Sequence, residues 1–161
     1  VGAVDLGQIK LAQASLLGWE NAAADTPVDT ALGRTSAGLV EVNSGAAGTL
    51  RDLRARSFRT PMTGELTIAS GAITVTGGYH RVDTEADGAT DDLDTINGGA
   101  DGMLLTLRAE NDARTVVVKD GTGNIQIAGD MTLDNTQDTI TLRYDGTLTA
   151  WLEIGRAASG A

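Results

Sequence analysis

Cysteine is absent, which excludes a disulfide framework and any zinc site built on thiolates. One histidine, His80, is present. A Ser–His–Asp arrangement would have to run through it, and no G-x-S-x-G elbow accompanies it. His80 falls inside a patterned strand beside Arg81 and reads as an ordinary strand residue. Aromatic residues are only 3 %: Phe58, Trp19, Trp151, Tyr79 and Tyr144. A saccharide-cleaving cleft is usually lined with such rings, so its two carboxylates would have little to work beside. Trp19 and Trp151 read first as core or interface anchors and second as sugar platforms. No run approaches the roughly 20 apolar residues of a membrane-spanning helix, and no signal peptide is evident. The phosphate-loop pattern G-x-x-x-x-G-K-[ST] does not occur. Gly121-Thr122-Gly123-Asn124 leads into a strand pattern, offers no helix N-terminus to a phosphate, and reads as a turn. The chain opens on Val1, which reads as processing or as part of a longer product.

What is present is a chain of 161 residues, 41 % of them hydrophobic. Of these 66 apolar residues, 23 are alanine, while Leu, Ile, Val and Phe together number 36. A buried large aliphatic side chain contributes about 1.5–3 kcal/mol and an alanine far less. The core available to one copy is therefore thin, and association with further copies would bury more. The net charge is −10 and the isoelectric point about 4.3. That balance repels nucleic acid and anionic membranes, and neither is expected as a partner. Arg51, Arg54, Arg56 and Arg59 cluster, whereas the acids gather after Val82.

Helical spacing is confined to Val4–Gln13, where Gly7 interrupts it; the stretch reads as a weak helix or an extended arm. Residues 14–60 read as short strands between turns, with a loop over Asn21–Thr30 and strands at Gly38–Asn43 and Leu50–Arg59. The last alternates Leu53, Ala55 and Ser57 against Arg54, Arg56 and Phe58. From Pro61 the pattern predicts eight strands: Glu65–Ala69, Ala72–Thr76, Tyr79–Asp83, Met103–Arg108, Arg114–Lys119, Asn124–Ala128, Thr139–Tyr144 and Leu148–Ile154. Ser70-Gly71, Gly77-Gly78, Asn97-Gly98-Gly99, Asp101-Gly102, Asp120-Gly121, Gly129-Asp130 and Asp145-Gly146 separate them as turns, the Asp-Gly pairs among them being hairpin signals. The fold class expected is all-β: an anchoring or stalk segment over 1–60, then a β-sandwich or jelly-roll-like domain over 61–161. The spacings are too uneven for an internal repeat.

The acidic stretch Asp83–Asp94 places oxygen ligands at positions 1, 3, 5, 9 and 12 of a calcium-loop pattern, with Gly88 at position 6. Asp83, Glu85, Asp87, Asp91 and Asp94 are thus calcium candidates. Against them stand an Asp at position 12, shorter than the usual Glu, and flanks that are β-like. The stretch reads first as a solvated acidic loop and second as a calcium loop; a third reading is a surface that meets Arg51, Arg54 or Arg56 of a neighbouring subunit. No other metal or cofactor is expected. Tyr79, Tyr144 and Trp151 are the candidates for contact with a glycan.

Two stretches resemble bacteriophage tail-fibre and virion-fibre proteins. The first covers residues 16–59: Leu17 to Trp19, Asp29-Thr30-Ala31-Leu32-Gly33-Arg34, Ala37-Gly38-Leu39-Val40-Glu41-Val42 and Gly48-Thr49-Leu50-Arg51. The second covers residues 83–156, with an Asp-Leu-Asp-x-Ile lead, R-T-V-x-V-K-D, G-N-I-x-x-x-G-D, D-T-I-x-L and a closing W-x-E strand. The resemblance implies an interwoven homotrimer, structural and without catalytic residues, located on the extracellular particle. It implies other virion proteins as partners, and attachment to a host surface glycan as the use. A dedicated polysaccharide-binding module and a capsid decoration protein are the alternatives. Independently, short strands poor in large apolar residues leave edges that threefold association would cover.

Overall fold

A computed structural model of the chain describes residues 16–20, 28–36 and 39–159. The helix or arm expected over Val4–Gln13 lies outside them. The chain divides into two units, one ending at Phe58 and the other beginning at Arg59. Both are built of strands, so the all-β expectation holds.

The first unit is a three-stranded antiparallel sheet of β1 (Leu16–Glu20), β2 (Val28–Ser36) and β3 (Leu39–Asn43), with β2 in the middle. Ala31 is buried, and so is Asn43, whose Oδ1 accepts the Gly45 N–H at 3.0 Å. A turn follows, closed by an isolated bridge from Asn43 to Leu50. The strand expected over Leu50–Arg59 does not form: beyond that bridge the chain has neither strand nor helix until Glu65. The alternation there is real, but the segment enters no sheet among the described residues.

The second unit winds. β4 (Glu65–Thr67) and β5 (Ala72–Thr74) make a first, short coil. β6 (Tyr79–Asp83), β7 (Thr90–Leu93) and β8 (Thr95–Asn97) make a second. β9 (Leu104–Ala109), β10 (Thr115–Val118) and β11 (Ile125–Gln126) make a third. Successive coils stack in parallel: β4 on β6, β6 on β9, β5 on β8 and β7 on β10. The direction then reverses. β12 (Met131–Leu133) runs antiparallel to β10. β13 (Thr139–Asp145) runs antiparallel to both β9 and β14 (Ala150–Ala157), and β11 lies parallel to β14. The unit is a short β-solenoid with an antiparallel closure at its C-terminal end.

Stacking puts like residues in columns. Leu66 lies beside Val82 and Val82 beside Ala109; Ile73 lies beside Ile96, and Leu93 beside Val118. The inward positions of every coil meet in one core that includes Ile68, Leu105, Leu107, Ile140, Leu142 and Trp151. Thin as the aliphatic content is, it is concentrated on the inner faces, and each buried Leu or Ile contributes about 1.5–3 kcal/mol.

A sandwich or jelly roll was the expectation, and the parallel stacking corrects it. Alternation at period two marks a strand with one buried face. It does not say whether the strand pairs with its chain neighbour or with its equivalent one coil away. Gly77-Gly78, expected as a turn, and Asp101-Gly102, expected as a hairpin turn, are corners between strands of different sheets. Asp145-Gly146 joins two strands that pair with each other, and Ser70-Gly71 closes a two-residue turn across which Ala69 and Ala72 exchange backbone hydrogen bonds. Four strands escaped the pattern altogether: β7, β8, β12 and, in the first unit, β2, which begins inside the loop expected over Asn21–Thr30. The first two lie in and just after the acidic stretch, where Asp lowers strand propensity while Leu93 and Ile96 supply the buried face.

Candidate functional site

Four carboxylates of the acidic stretch, those of Asp83, Glu85, Asp87 and Asp91, have partners in the fold. Asp83 ends β6 and is buried. Arg114, just before β10, forks onto it: Nε donates to Oδ1 at 2.6 Å and the terminal nitrogen to Oδ2. The Thr84 N–H donates to the same Oδ1 at 2.8 Å. The Asp83 carboxyl is held below its ordinary range, first by the Arg114 hydrogen bonds, with burial opposing. Arg114 also reaches Asp87 Oδ1 at 3.1 Å. Glu85 accepts the Ser70 N–H at 3.2 Å. Asp91 accepts the N–H of Glu85 at 2.7 Å through one oxygen and that of Asp92 at 2.9 Å through the other. Asp94 lies over Gly71, where an added Cβ would come within 2.8 Å of its Oδ2.

This geometry does not gather the calcium candidates at one point. The loop pattern presumes one turn that gathers its ligands. Here residues 90–93 and 95–97 are strand, and alternation sends the neighbouring carboxylates of Asp91 and Asp92 to different sides. Among the described residues no group of three or more Asp, Glu or His side chains is placed to hold a metal ion. Asp91 instead blunts an edge. In the parallel pairing with β10, Thr115 N–H bonds Ala89 O and Lys119 N–H bonds Leu93 O. The Asp92 N–H therefore points to the open side of β7, where Asp91 covers it.

The aromatic candidates separate. Trp151 is fully buried, its Nε1 donating to Ile96 O at 2.9 Å, so it presents no face to a sugar. Tyr144 meets it edge-on, with ring centroids 5.2 Å apart at 65°. It also lies against Gly99, where a Cβ would come 2.4 Å from the ring. Tyr79 is half-buried on β6 and level with Thr106; by strand alternation it faces the opposite side of the sheet from Tyr144. The Trp19 side chain lies outside the described residues. Beside Tyr144 runs an open groove of about 390 Å³, lined also by Asp101, Arg143, Asp145 and Leu152 to Ile154. Asp101 and Asp145 are already engaged there, accepting the N–H groups of Gly146, Thr147 and Leu148 at 2.8–2.9 Å. Arg143 makes no hydrogen bond or ion pair among the described residues.

His80 is more than an ordinary strand residue. It is buried, its Nε2 accepts the N–H groups of Thr76 and Gly77 at 3.2 and 3.1 Å, and its Nδ1 faces Gly64 O at 3.2 Å. Those partners place the ring proton on Nδ1 and use both nitrogens to hold the corner between β5 and β6.

Asn124 was missed. Its amide donates to Ile96 O at 2.8 Å and accepts Ile96 N–H at 2.9 Å, so a side chain stands where a strand would. Gly123 allows the approach: a Cβ there would sit 2.3 Å from Asp94 O. The Gly-Thr-Gly-Asn run was the available signal. Glu153 and Arg156 on β14 were missed as well. They pair at 2.6 Å and pin the loop at 128–129, through Ala128 N–H onto Glu153 and Arg156 onto Gly129 O.

Compared with known proteins, the chain matches no family model and no curated protein.

Proposed function

We propose that the chain is a structural, non-enzymatic subunit of a bacteriophage virion fibre on the tail, collar or head. In this reading it associates as a homotrimer, contacts other virion proteins, and displays its β-solenoid toward the host surface. The observation that carries the proposal is a segment without strand or helix ahead of the solenoid in sequence, with Leu50, Leu53 and Phe58 exposed at 65, 60 and 74 %. A chain with a small core does not usually leave such residues in water without a partner. The resemblance over residues 16–59 and 83–156 supplies the setting. The polar groups described above fasten turns and strand edges, which suits a scaffold. Light scattering on the purified chain tests the association; a stable monomer at micromolar concentration overturns it. Antibody against the solenoid should label a fibre on intact particles of the phage that encodes the chain, and labelling elsewhere or nowhere removes the virion assignment.

A second reading, a glycan-binding module, is favoured by the groove beside Tyr144, where Arg143 is unengaged. Binding on a glycan array that is lost in Arg143→Ala, with the solution mass unchanged, supports it. No binding to any surface polysaccharide of the host removes it.

A further inference from the structure

We propose that residues 52–59 of one copy add as a strand to the open edge of β4 in a second copy. This rests on the self-association proposed above and names the surfaces that carry it.

The donor is a segment patterned as a strand whose residues 52–59 enter no strand pairing among the described residues. Leu53, Ala55 and Ser57 alternate with Arg54, Arg56 and Phe58. From Asp52 to Thr60 the backbone makes no hydrogen bond among the described residues, although Arg51 N–H still bonds Val42 O at 2.9 Å. Arg54, Arg56 and Arg59 have no hydrogen bond or ion pair among the described residues either. A strand-patterned segment with an unpaired backbone is suited to pairing elsewhere.

The acceptor is a sheet that ends without a cover. β4 is the outer strand of the six-stranded sheet and pairs only with β6. Arg81 N–H bonds Gly64 O, and Ile68 N–H bonds Asp83 O. In a parallel ladder of that phase, the N–H and C=O of Glu65 and Thr67 point away from β6. Both residues are exposed. The edge of β7, by contrast, is blunted by Asp91. An unblunted edge is a template for an added strand, and strand addition is a general mode of recognition between chains.

Charge chooses the partner. Residues 51–59 carry four arginines against Asp52, a net of +3. Residues 60–161 hold sixteen acids against six bases, a net of −10. Glu65 lies on the accepting edge itself. Opposite charge across the contact steers encounter and fixes register, and a second copy of this chain supplies it.

The test is complementation, read by light scattering. Ala55→Pro removes a donor N–H from a segment that has no structure in the single copy, and Thr67→Pro removes the outward N–H of β4. The native chain should associate. Each variant alone should be monomeric with an unchanged far-ultraviolet circular dichroism spectrum. Their mixture should form a one-to-one pair, since each retains the half the other lacks. Should Thr67→Pro unfold, Glu65→Arg replaces it: association should weaken at low salt and return when Glu65→Arg is combined with Arg54→Glu and Arg56→Glu. Retention of the native mass by Ala55→Pro, or a mixture that stays monomeric, overturns the proposal and leaves the fibre reading standing. A native chain that is itself monomeric overturns both.

Discussion

Asn124 bonds both backbone groups of Ile96, donating to its carbonyl at 2.8 Å and accepting its N–H at 2.9 Å. β8 and the segment that leads into β11 are held together there by one amide side chain. Trp151 Nε1 converges on the same carbonyl, so Ile96 joins the second coil, the third coil and the closing strand. Replacing Asn124 with Ala should cost on the order of 2–3 kcal/mol, because the buried Ile96 N–H loses its partner. Asn124→Asp keeps the acceptor but turns a carboxylate oxygen toward the Ile96 carbonyl, and should be no better. Urea denaturation checks both; midpoints within experimental error of the native chain would show that the amide is dispensable.

His80 does for the corner at Thr76 and Gly77 what Asn124 does for Ile96. His80→Leu preserves bulk but leaves two N–H groups and the Gly64 carbonyl without the ring. A loss of about 3 kcal/mol follows if water does not replace it. His80→Gln restores one acceptor and one donor and should recover part of that loss. Equal destabilisation by Leu and Gln would show that ring packing, rather than hydrogen bonding, is what matters.

Particular residues show how far the sequence could be read. The strand at Tyr79–Asp83 was legible to the residue, because His80 and Val82 face in while Tyr79 and Arg81 face out. The stacking was not, since the step between coils is 16 residues from Leu66 to Val82 but 27 from Val82 to Ala109. The first coil passes directly through Ser70-Gly71 and lacks the strand equivalent to β7, which hides the repeat. The acidic stretch was ambiguous for a related reason. A calcium loop and a blunted β-edge both call for closely spaced Asp, and only the pairing of Thr90–Leu93 with β10 separates them. Trp151 was legible as an anchor. Arg114 as the partner of Asp83 was not, since they are 31 positions apart and meet only when the coils stack.

The acid side of the stability profile should depend on Glu153. Its carboxyl is drawn from the ordinary 4.5 down to about 2, first by the Arg156 guanidinium, then by the Ala128 N–H, with burial opposing. A carboxyl whose value is lower folded than unfolded stabilises the fold above its unfolded value and loses that contribution as pH falls toward the folded one. Glu153→Gln should therefore lower stability at pH 7 by on the order of 2 kcal/mol. The difference from the native chain should shrink between about pH 4.5 and pH 2. Asp83, held down by Arg114, acts in the same direction. Denaturation midpoints measured across this range check the sign; curves that stay parallel would show that the pair with Arg156 carries no net stabilisation.

Thr149 holds a left-handed backbone, φ 51°, in the turn between β13 and β14. A β-branched residue is a poor occupant of that region, since its Cβ crowds the following carbonyl at a cost of roughly 1–2 kcal/mol. The position is exposed, and its hydroxyl reaches only the neighbouring Leu148 carbonyl. The turn is already held by Asp145, which accepts from Thr147 and Leu148, and by Asp101, which accepts from Gly146. Relief of the strain therefore removes little else. Thr149→Gly should raise stability by about 0.5–1 kcal/mol, less than the full strain because glycine is freer when unfolded. Thr149→Asn should do the same or slightly better, as Asn tolerates this backbone with a smaller entropic cost. For a chain of this size the gain corresponds to a melting point higher by about 1–4 °C. A fall in both variants would mean that the threonine hydroxyl contributes more to the turn than its backbone strain removes.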